Sequence, residues 1–282
     1  MKNFDSHKQK PTIPPPIALI TGASRGIGAG IARALAKEGY DLVLCCEKNR
    51  ALLETLAKGL REDFGADVLT CVGDVGDPAF APNCYEKTTA HFGRTTMPDD
   101  PSLEADAKIF TRADGSPPLF SGIDVLVNNA GISHIGLLTD MTSDEWNRVL
   151  SVNLSSCFYF ARAFAPDMIR RKSGHILSIS SIWGSRGASC EVAYSASKGG
   201  VEAFTKALAK ELAPSHVAVN AISCGVIDTD MNRGFSEEEI RGLIEEIPCD
   251  RLGTAEDVSR CVVGLLRMSY VTGQVLGVDG GF

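Results

Sequence analysis

From Ile17 onward, short and nearly unbroken aliphatic runs alternate with longer stretches in which apolar residues recur at helical spacing. Runs such as Ile17-Ala18-Leu19-Ile20 and Val125-Leu126-Val127 have no polar face, so each must be covered on both sides, as strands of a parallel sheet are. The helical stretches between them supply those covers and make the crossovers that parallel neighbours require. The pattern predicts a doubly wound α/β fold of the Rossmann type: one parallel seven-stranded sheet with helices on both faces. Strands are expected near 17–21, 41–45, 67–71, 123–128, 174–180, 217–222 and 274–278.

Local chemistry marks two of the helices. Thr142 and Glu145 have the spacing of a capping box, opening a segment that runs to about Arg171 and is expected to kink at Pro166. A second helix covers Ala196 to Leu212 and stops ahead of Pro214, whose ring disfavours helical geometry in the residue before it. Two segments break the rhythm. Residues 1–16 are polar and proline-rich and read as a disordered tail, while residues 94–121, proline-rich with mixed charge, read as an inserted surface loop. The rest, 17–282, is expected to be a single domain.

With 282 residues and 44% hydrophobic content, one sizeable core is within reach. A net charge of −7 gives no electrostatic reason for a nucleic-acid or anionic-membrane partner. No apolar run approaches the roughly 18 to 20 residues that span a bilayer. Nine cysteines lie scattered without CxxC spacing, so neither a metal site nor a disulfide framework is expected, and a reducing cytoplasm is the simplest location.

Directly after the first strand comes Thr21-Gly22-Ala23-Ser24-Arg25-Gly26-Ile27-Gly28, then an apolar-periodic helix to Lys37. Glycines there permit positive φ and close backbone approach, and the N–H groups and dipole at a helix start attract a pyrophosphate. The spacing is neither GxGxxG nor a P-loop, since no Gly-Lys-Ser/Thr closes it, which disfavours a nucleotide kinase or GTPase. A tight structural turn is the alternative reading.

Taken with Asn128-Asn129-Ala130-Gly131, Asn153, Ser181 and Tyr194-Ser195-Ala196-Ser197-Lys198, the turn resembles that of the short-chain dehydrogenase/reductase family. The resemblance covers 17–282 apart from the insertion, and within the family it is strongest to 3-oxoacyl-acyl-carrier-protein reductases. It implies a dinucleotide-binding catalytic domain in which Tyr194 is the acid/base, Ser181 holds the substrate oxygen with Ser180 as its rival, and Asn153 orders a water linking Lys198 to solvent. Chemistry gives the Tyr-Lys spacing a reason: four residues is one helical turn. An ammonium on the same face favours phenolate, lowering a pKa of about 10 toward the working pH.

The same resemblance assigns cofactor contacts to Gly22, Ser24, Arg25, Gly26, Ile27 and Gly28 in the turn. It adds Cys46, Asp74 and Val75 at the adenosine end, Asn129, Ala130 and Gly131 along the ribose, Tyr194 and Lys198, and Gly225, Ile227 and Thr229 after the sixth strand. NAD-specific members carry an acid at the end of the second strand, where this chain has Cys46. Arg25, with Lys48 and Arg50 nearby, can neutralise a 2′-phosphate. NADP is therefore preferred; NAD stays possible because Glu47 is one step further on.

On the substrate side, Ser181, Trp183, Cys190 and Tyr194 are expected to meet the substrate, with Val192 and His134 beside them. The segment 223–231 and a helical stretch over 236–247 are expected to close over it, and Cys224, where the family usually has proline, reads as a small packed thiol. Arg170, Arg171 and Lys172 form a basic patch suited to an acidic acyl carrier protein, while Ser215-His216 stands where those reductases often carry another arginine. The implied activity is reduction of a 3-oxoacyl thioester or related ketone by a homotetramer. The alternatives are a dehydrogenase of the same fold acting on a sugar, polyol or steroid alcohol, and a non-catalytic nucleotide-binding regulator.

Overall fold

The computed structural model describes residues 14–93, 120–230 and 236–282. Seven strands, β1 (Ile17–Ile20), β2 (Asp41–Cys46), β3 (Val68–Val72), β4 (Ile123–Asn128), β5 (Gly174–Ser181), β6 (Val217–Cys224) and β7 (Val275–Val278), form one sheet in the order β3-β2-β1-β4-β5-β6-β7. Every neighbouring pair is parallel. Strands β5 and β6 run further than their aliphatic content suggests, staying in register until Ser181 lies opposite Cys224.

Alternation explains the two-sided burial. In β1, Ala18 and Ile20 face one core with α1 (Gly26–Lys37), α2 (Arg50–Phe64) and the last helix at Ala255–Leu266. Ile17 and Leu19 face the other core, built with α3 (Phe80–Phe92) and the helices at Ser156–Arg171 and Val192–Leu212. All four β1 side chains are buried, so a strand with no polar face is fully used.

Thr142 and Glu145 do form a capping box, and α4 (Ser143–Leu150) begins there. The expected single long helix is instead interrupted at Ser151–Ser155 by a π turn before α5 (Ser156–Arg171) continues. Pro166 lies inside α5; the irregularity sits a helix-length earlier and carries Asn153. The remaining helices are α6 (Ile182–Arg186), α7 (Val192–Leu212), α8 (Glu237–Glu246) and α9 (Ala255–Leu266).

Most of the tail and insertion, residues 1–13 and 94–119, lie outside the described residues. The last two residues of the expected surface loop are a correction: Phe120 and Ser121 are buried. The cause is Asp167, itself buried, which accepts from Ser121 N at 2.8 Å, Ser121 Oγ at 2.9 Å and Tyr85 Oη at 2.9 Å and pairs with Arg170 at 2.9 Å. This knot anchors the entry to β4. Asp167→Ala strands those donors, so urea unfolding is expected to register a loss of about 3 kcal/mol. An unchanged midpoint would contradict that assignment.

Candidate active site

Strand order reverses between β1 and β4, and in open parallel sheets ligands bind beyond the carboxyl ends at such a switch point. A cleft of about 800 Å3 opens there. Its walls reach from Cys46 at the end of β2 to Ser181 at the end of β5, three strand spacings or roughly 14 Å. That span suits an extended dinucleotide better than a mononucleotide.

The glycine turn forms the floor. Gly22 has φ +64°, and a Cβ there would lie 2.8 Å from Ala130 Cα, so only glycine permits the chain at β1 to approach the chain at β4 this closely. Thr21 Oγ1 ties the two together by accepting from Asn129 N and Ala130 N at 3.0 Å each. Asn129 Nδ2 returns donors to Thr21 O at 2.8 Å and Gly22 O at 3.1 Å. Helix α1 starts at Gly26 with no side-chain cap and no acid in its first turn, leaving its dipole pointed at the cleft. Gly22, Ser24, Arg25, Gly26, Ile27, Asn129, Ala130 and Gly131 all line the space, so the residues present fit a pyrophosphate. Gly28, expected as a cofactor contact, is not among the lining residues; it is buried in α1 and keeps the turn against Asn129.

At the adenosine end, Cys46, Asp74 and Val75 line the cleft as expected. Arg50 does not line it. Burial works to raise the Asp74 pKa, but the hydrogen bond from Arg148, the Gly76 N–H and the nearby cations outweigh it and hold the carboxyl below its ordinary value. Arg25 pairs with Asp230 at 3.3 Å, and with its side chain 63% exposed this is a weak surface pair that a phosphate can displace. Arg148 is a lining residue that motif reading missed, because its partners lie 74 and 101 positions away in sequence.

At the far end Ser181, Tyr194 and Lys198 converge. Ser181 caps α6, accepting from Trp183 N at 3.2 Å, while Ser180 turns away to Glu202 at 3.0 Å, which separates the two rivals. Tyr194 and Lys198 sit on α7 one turn apart, with Lys198 Nζ 5.6 Å from the phenol ring centroid. Here the expected electrostatics are corrected. Burial pushes the Tyr194 phenol well above its ordinary value, Glu191 and Cys224 add to the rise, and only hydrogen bonding with Ser181 opposes it. Lys198 Nζ instead donates to Ile179 O at 2.7 Å, and burial lowers its own pKa. Asn153, in the π turn, accepts from Ile132 N at 2.8 Å and donates to Ile132 O at 2.9 Å and Ser197 Oγ at 3.0 Å. Its side chain ties the π turn to both the β4 loop and α7.

Among expected substrate contacts, Trp183 lines the cleft. Cys190, Val192 and His134 do not. Cys190 adopts a left-handed φ of 62° and its carbonyl accepts from Gly136 N, His134 lies 3.9 Å from Glu145, and Val192 stays exposed. Ile132, Ser133, Ile135 and Glu191 take those places. Glu191 was findable: it precedes Tyr194 by three residues, close to one helical turn. Its carboxylate accepts from Ser133 Oγ at 3.0 Å, and burial raises its pKa.

Gly225, Ile227 and Thr229 line the cleft, as does Leu243 of α8; residues 231–235 lie outside the described residues. Cys224 is buried and its thiol is pushed up to about 12 by burial, which fits a packed thiol. The basic patch is reduced: Arg170 is paired with Asp167, and Arg171 with Asp124 and the Ile123 carbonyl. Both arginines satisfy carboxylates of the fold, leaving Lys172 as the exposed cation of the three.

Fold and cleft together define a nucleotide-dependent oxidoreductase of the Rossmann type. The chain belongs to the short-chain dehydrogenase/reductase family: residues 16–97 match the short chain dehydrogenase model, and residues 106–282 match one described as enoyl-(acyl carrier protein) reductase. It is 37% identical over 271 residues to uncharacterized oxidoreductase YmfI of Bacillus subtilis (strain 168), covering 94% of this chain and 98% of that one. It is 34% identical over 267 residues to the 3-oxoacyl-acyl-carrier-protein reductases FabG of Salmonella typhimurium and Escherichia coli (strain K12), covering 94% of this chain and 96% of each. It is thus an NAD(P)-dependent oxidoreductase. No helix among the described residues is long and apolar enough to cross a membrane.

Proposed function

We propose that this enzyme reduces a 3-oxoacyl thioester or related ketone to a secondary alcohol, with NADPH as the preferred nucleotide. The carrying observation is the convergence of Ser181, Tyr194 and Lys198 at the inner end of the cleft, where burial also works to raise the phenol pKa. When bound, the nicotinamide supplies the hydride for reduction or takes it up for oxidation. The Ser181 hydroxyl polarises the carbonyl oxygen, and Tyr194 passes its proton to that oxygen as negative charge develops. Lys198 and Asn153 serve as positioning groups on α7 and the π turn. Support for NADPH comes from Cys46 in the place of the usual acid and from the cations around Glu47.

Apolar walls at Ile132, Ile135, Trp183 and Leu243 suit an acyl chain. One observation favours a second reading. The Glu191 carboxylate with Ser133 offers acceptors to hydroxyl groups, as a sugar or polyol would require. NADPH oxidation with acetoacetyl thioesters beside a panel of ketoses and NADP-linked oxidation of polyols separates the two; turnover confined to the polyols would overturn the first. We further propose that 17–282 acts as one catalytic domain bearing an insertion at about 94–121. In the same reading the enzyme is a homotetramer in a reducing cytoplasm, with acyl carrier protein as one bearer of substrate. Exposed Phe158 and Ile169 on α5 and the unpaired thiols support this reading. Sedimentation equilibrium tests the assembly.

A further inference from the structure

We propose that Arg148 is a positioning residue that sets the nucleotide's 2′ preference by neutralising Glu47; this rests on the NADPH reading above. Arg148 projects from α4 and forks between two carboxylates that leave the ends of adjacent strands. Its Nη1 reaches Asp74 Oδ2 after β3 at 2.5 Å, and its Nη2 reaches Glu47 Oε1 after β2 at 3.3 Å. All three residues line the cleft. Lys48 Nζ approaches the same Glu47 oxygen at 3.2 Å.

The surroundings are shaped to seat the guanidinium. A Cβ on Gly76 would lie 3.0 Å from Arg148 Nη1, so the absence of a side chain there leaves its place clear. The Gly76 N–H meanwhile donates to Asp74 Oδ1 at 2.8 Å, turning the other oxygen toward Arg148. A planar fork with several donors can hold two carboxylates at once; a lysine ammonium cannot match that geometry.

The consequence is electrostatic. A carboxylate after β2 with no cation beside it would accept from a ribose 2′-hydroxyl and repel a 2′-phosphate. With Arg148 and Lys48 both on Glu47, that repulsion is offset, and the edge where a 2′-phosphate would sit matches two acids, Glu47 and Asp74, with two cations, as Arg25 is matched by Asp230. Arg148 therefore acts through Glu47, and removing it restores an acid.

Calorimetric titration of the full chain with adenosine 2′,5′-bisphosphate and with AMP tests this without turnover. Arg148→Leu is expected to weaken the bisphosphate at least about tenfold while AMP stays within about twofold. Arg148→Leu/Glu47→Gln is expected to regain most of the lost bisphosphate affinity, and Arg148→Lys to fall between. Equal losses for both ligands would mean that Arg148 only braces α4 against β3, and an unchanged ratio, or no recovery in the double variant, would equally overturn the proposal. Should Arg148→Leu fail to fold, Arg148→Lys with and without Glu47→Gln gives the same comparison. The wild-type ratio tests the NADPH reading itself: tighter AMP binding would sink that reading, while the change in ratio between variants still decides the role of Arg148.

Discussion

Tyr194→Phe is expected to lower kcat for carbonyl reduction at least about a thousandfold while nucleotide affinity stays unchanged. The substitution removes one oxygen and leaves the ring in its place on α7. Loss confined to kcat identifies an interaction made as the proton moves, whereas a matching loss of nucleotide binding would point to a collapsed cleft. The pH dependence adds a sign. Burial holds the phenol above its ordinary value of about 10, so the proton donor is loaded throughout the neutral range. Reduction by the wild type should show no falling limb from this group below about pH 9, while oxidation, which needs the phenolate, should rise with pH across the same range. Steady-state assays in both directions, with fluorescence titration of NADPH, check each part.

Gly28→Val is expected to abolish nucleotide binding and lower stability, for a reason that lies in the backbone rather than in ligand contact. A Cβ at residue 28 would meet Gly22 O at 2.4 Å, Asn129 Nδ2 at 2.6 Å and Ala23 Cα at 3.0 Å. Neither the carbonyl nor the Cα can swing aside, so the turn must open. Asn129 would then release Thr21 and Gly22, which it holds through two donors. Overpacking of this kind costs about 1–3 kcal/mol or more. NADPH affinity is expected to fall beyond about a hundredfold, since the phosphate-facing N–H groups no longer converge. Gly59→Ala in α2 is the matched control. Nothing lies within 4 Å of its Cβ position, so helix stability should hold or rise. Thermal unfolding and NADPH titration of the pair separate a clash from a general intolerance of substitution.

The sheet and the glycine turn were legible because each rests on local pattern. Aliphatic runs without a polar face demand two-sided burial, and the β1 residues are divided between two cores as that demands. Helix ends written in side-chain oxygens, such as Thr142 with Glu145, could also be read directly. What escaped depends on contacts distant in sequence or on backbone detail. The π turn at Ser151–Ser155 has no propensity signature in Ser-Val-Asn-Leu-Ser, yet it decides where Asn153 points. A Tyr-Lys spacing of four places both groups on one face but does not say where the ammonium goes; Ile179 O captures it, and burial then governs the phenol. Cys190 was assigned by adjacency, and its left-handed φ defeats that assumption. Arg148 and Arg171 find carboxylates through the fold, so neither could be placed from charge pattern alone; the Arg170 pair with Asp167, three residues earlier on the same helix, was open to that reading.

All of the proposed chemistry depends on the hydroxyl of Tyr194 and the nicotinamide ring sharing one carbonyl. A crystal of the complex with NADPH and an unreactive ketone analogue measures this directly. The expected result is the analogue's oxygen within hydrogen-bond distance of both Tyr194 Oη and Ser181 Oγ, with the reduced ring against its carbon and the adenosine toward Cys46. A ring bound away from that hydroxyl, or an analogue oxygen held by other groups, would contradict the assignment.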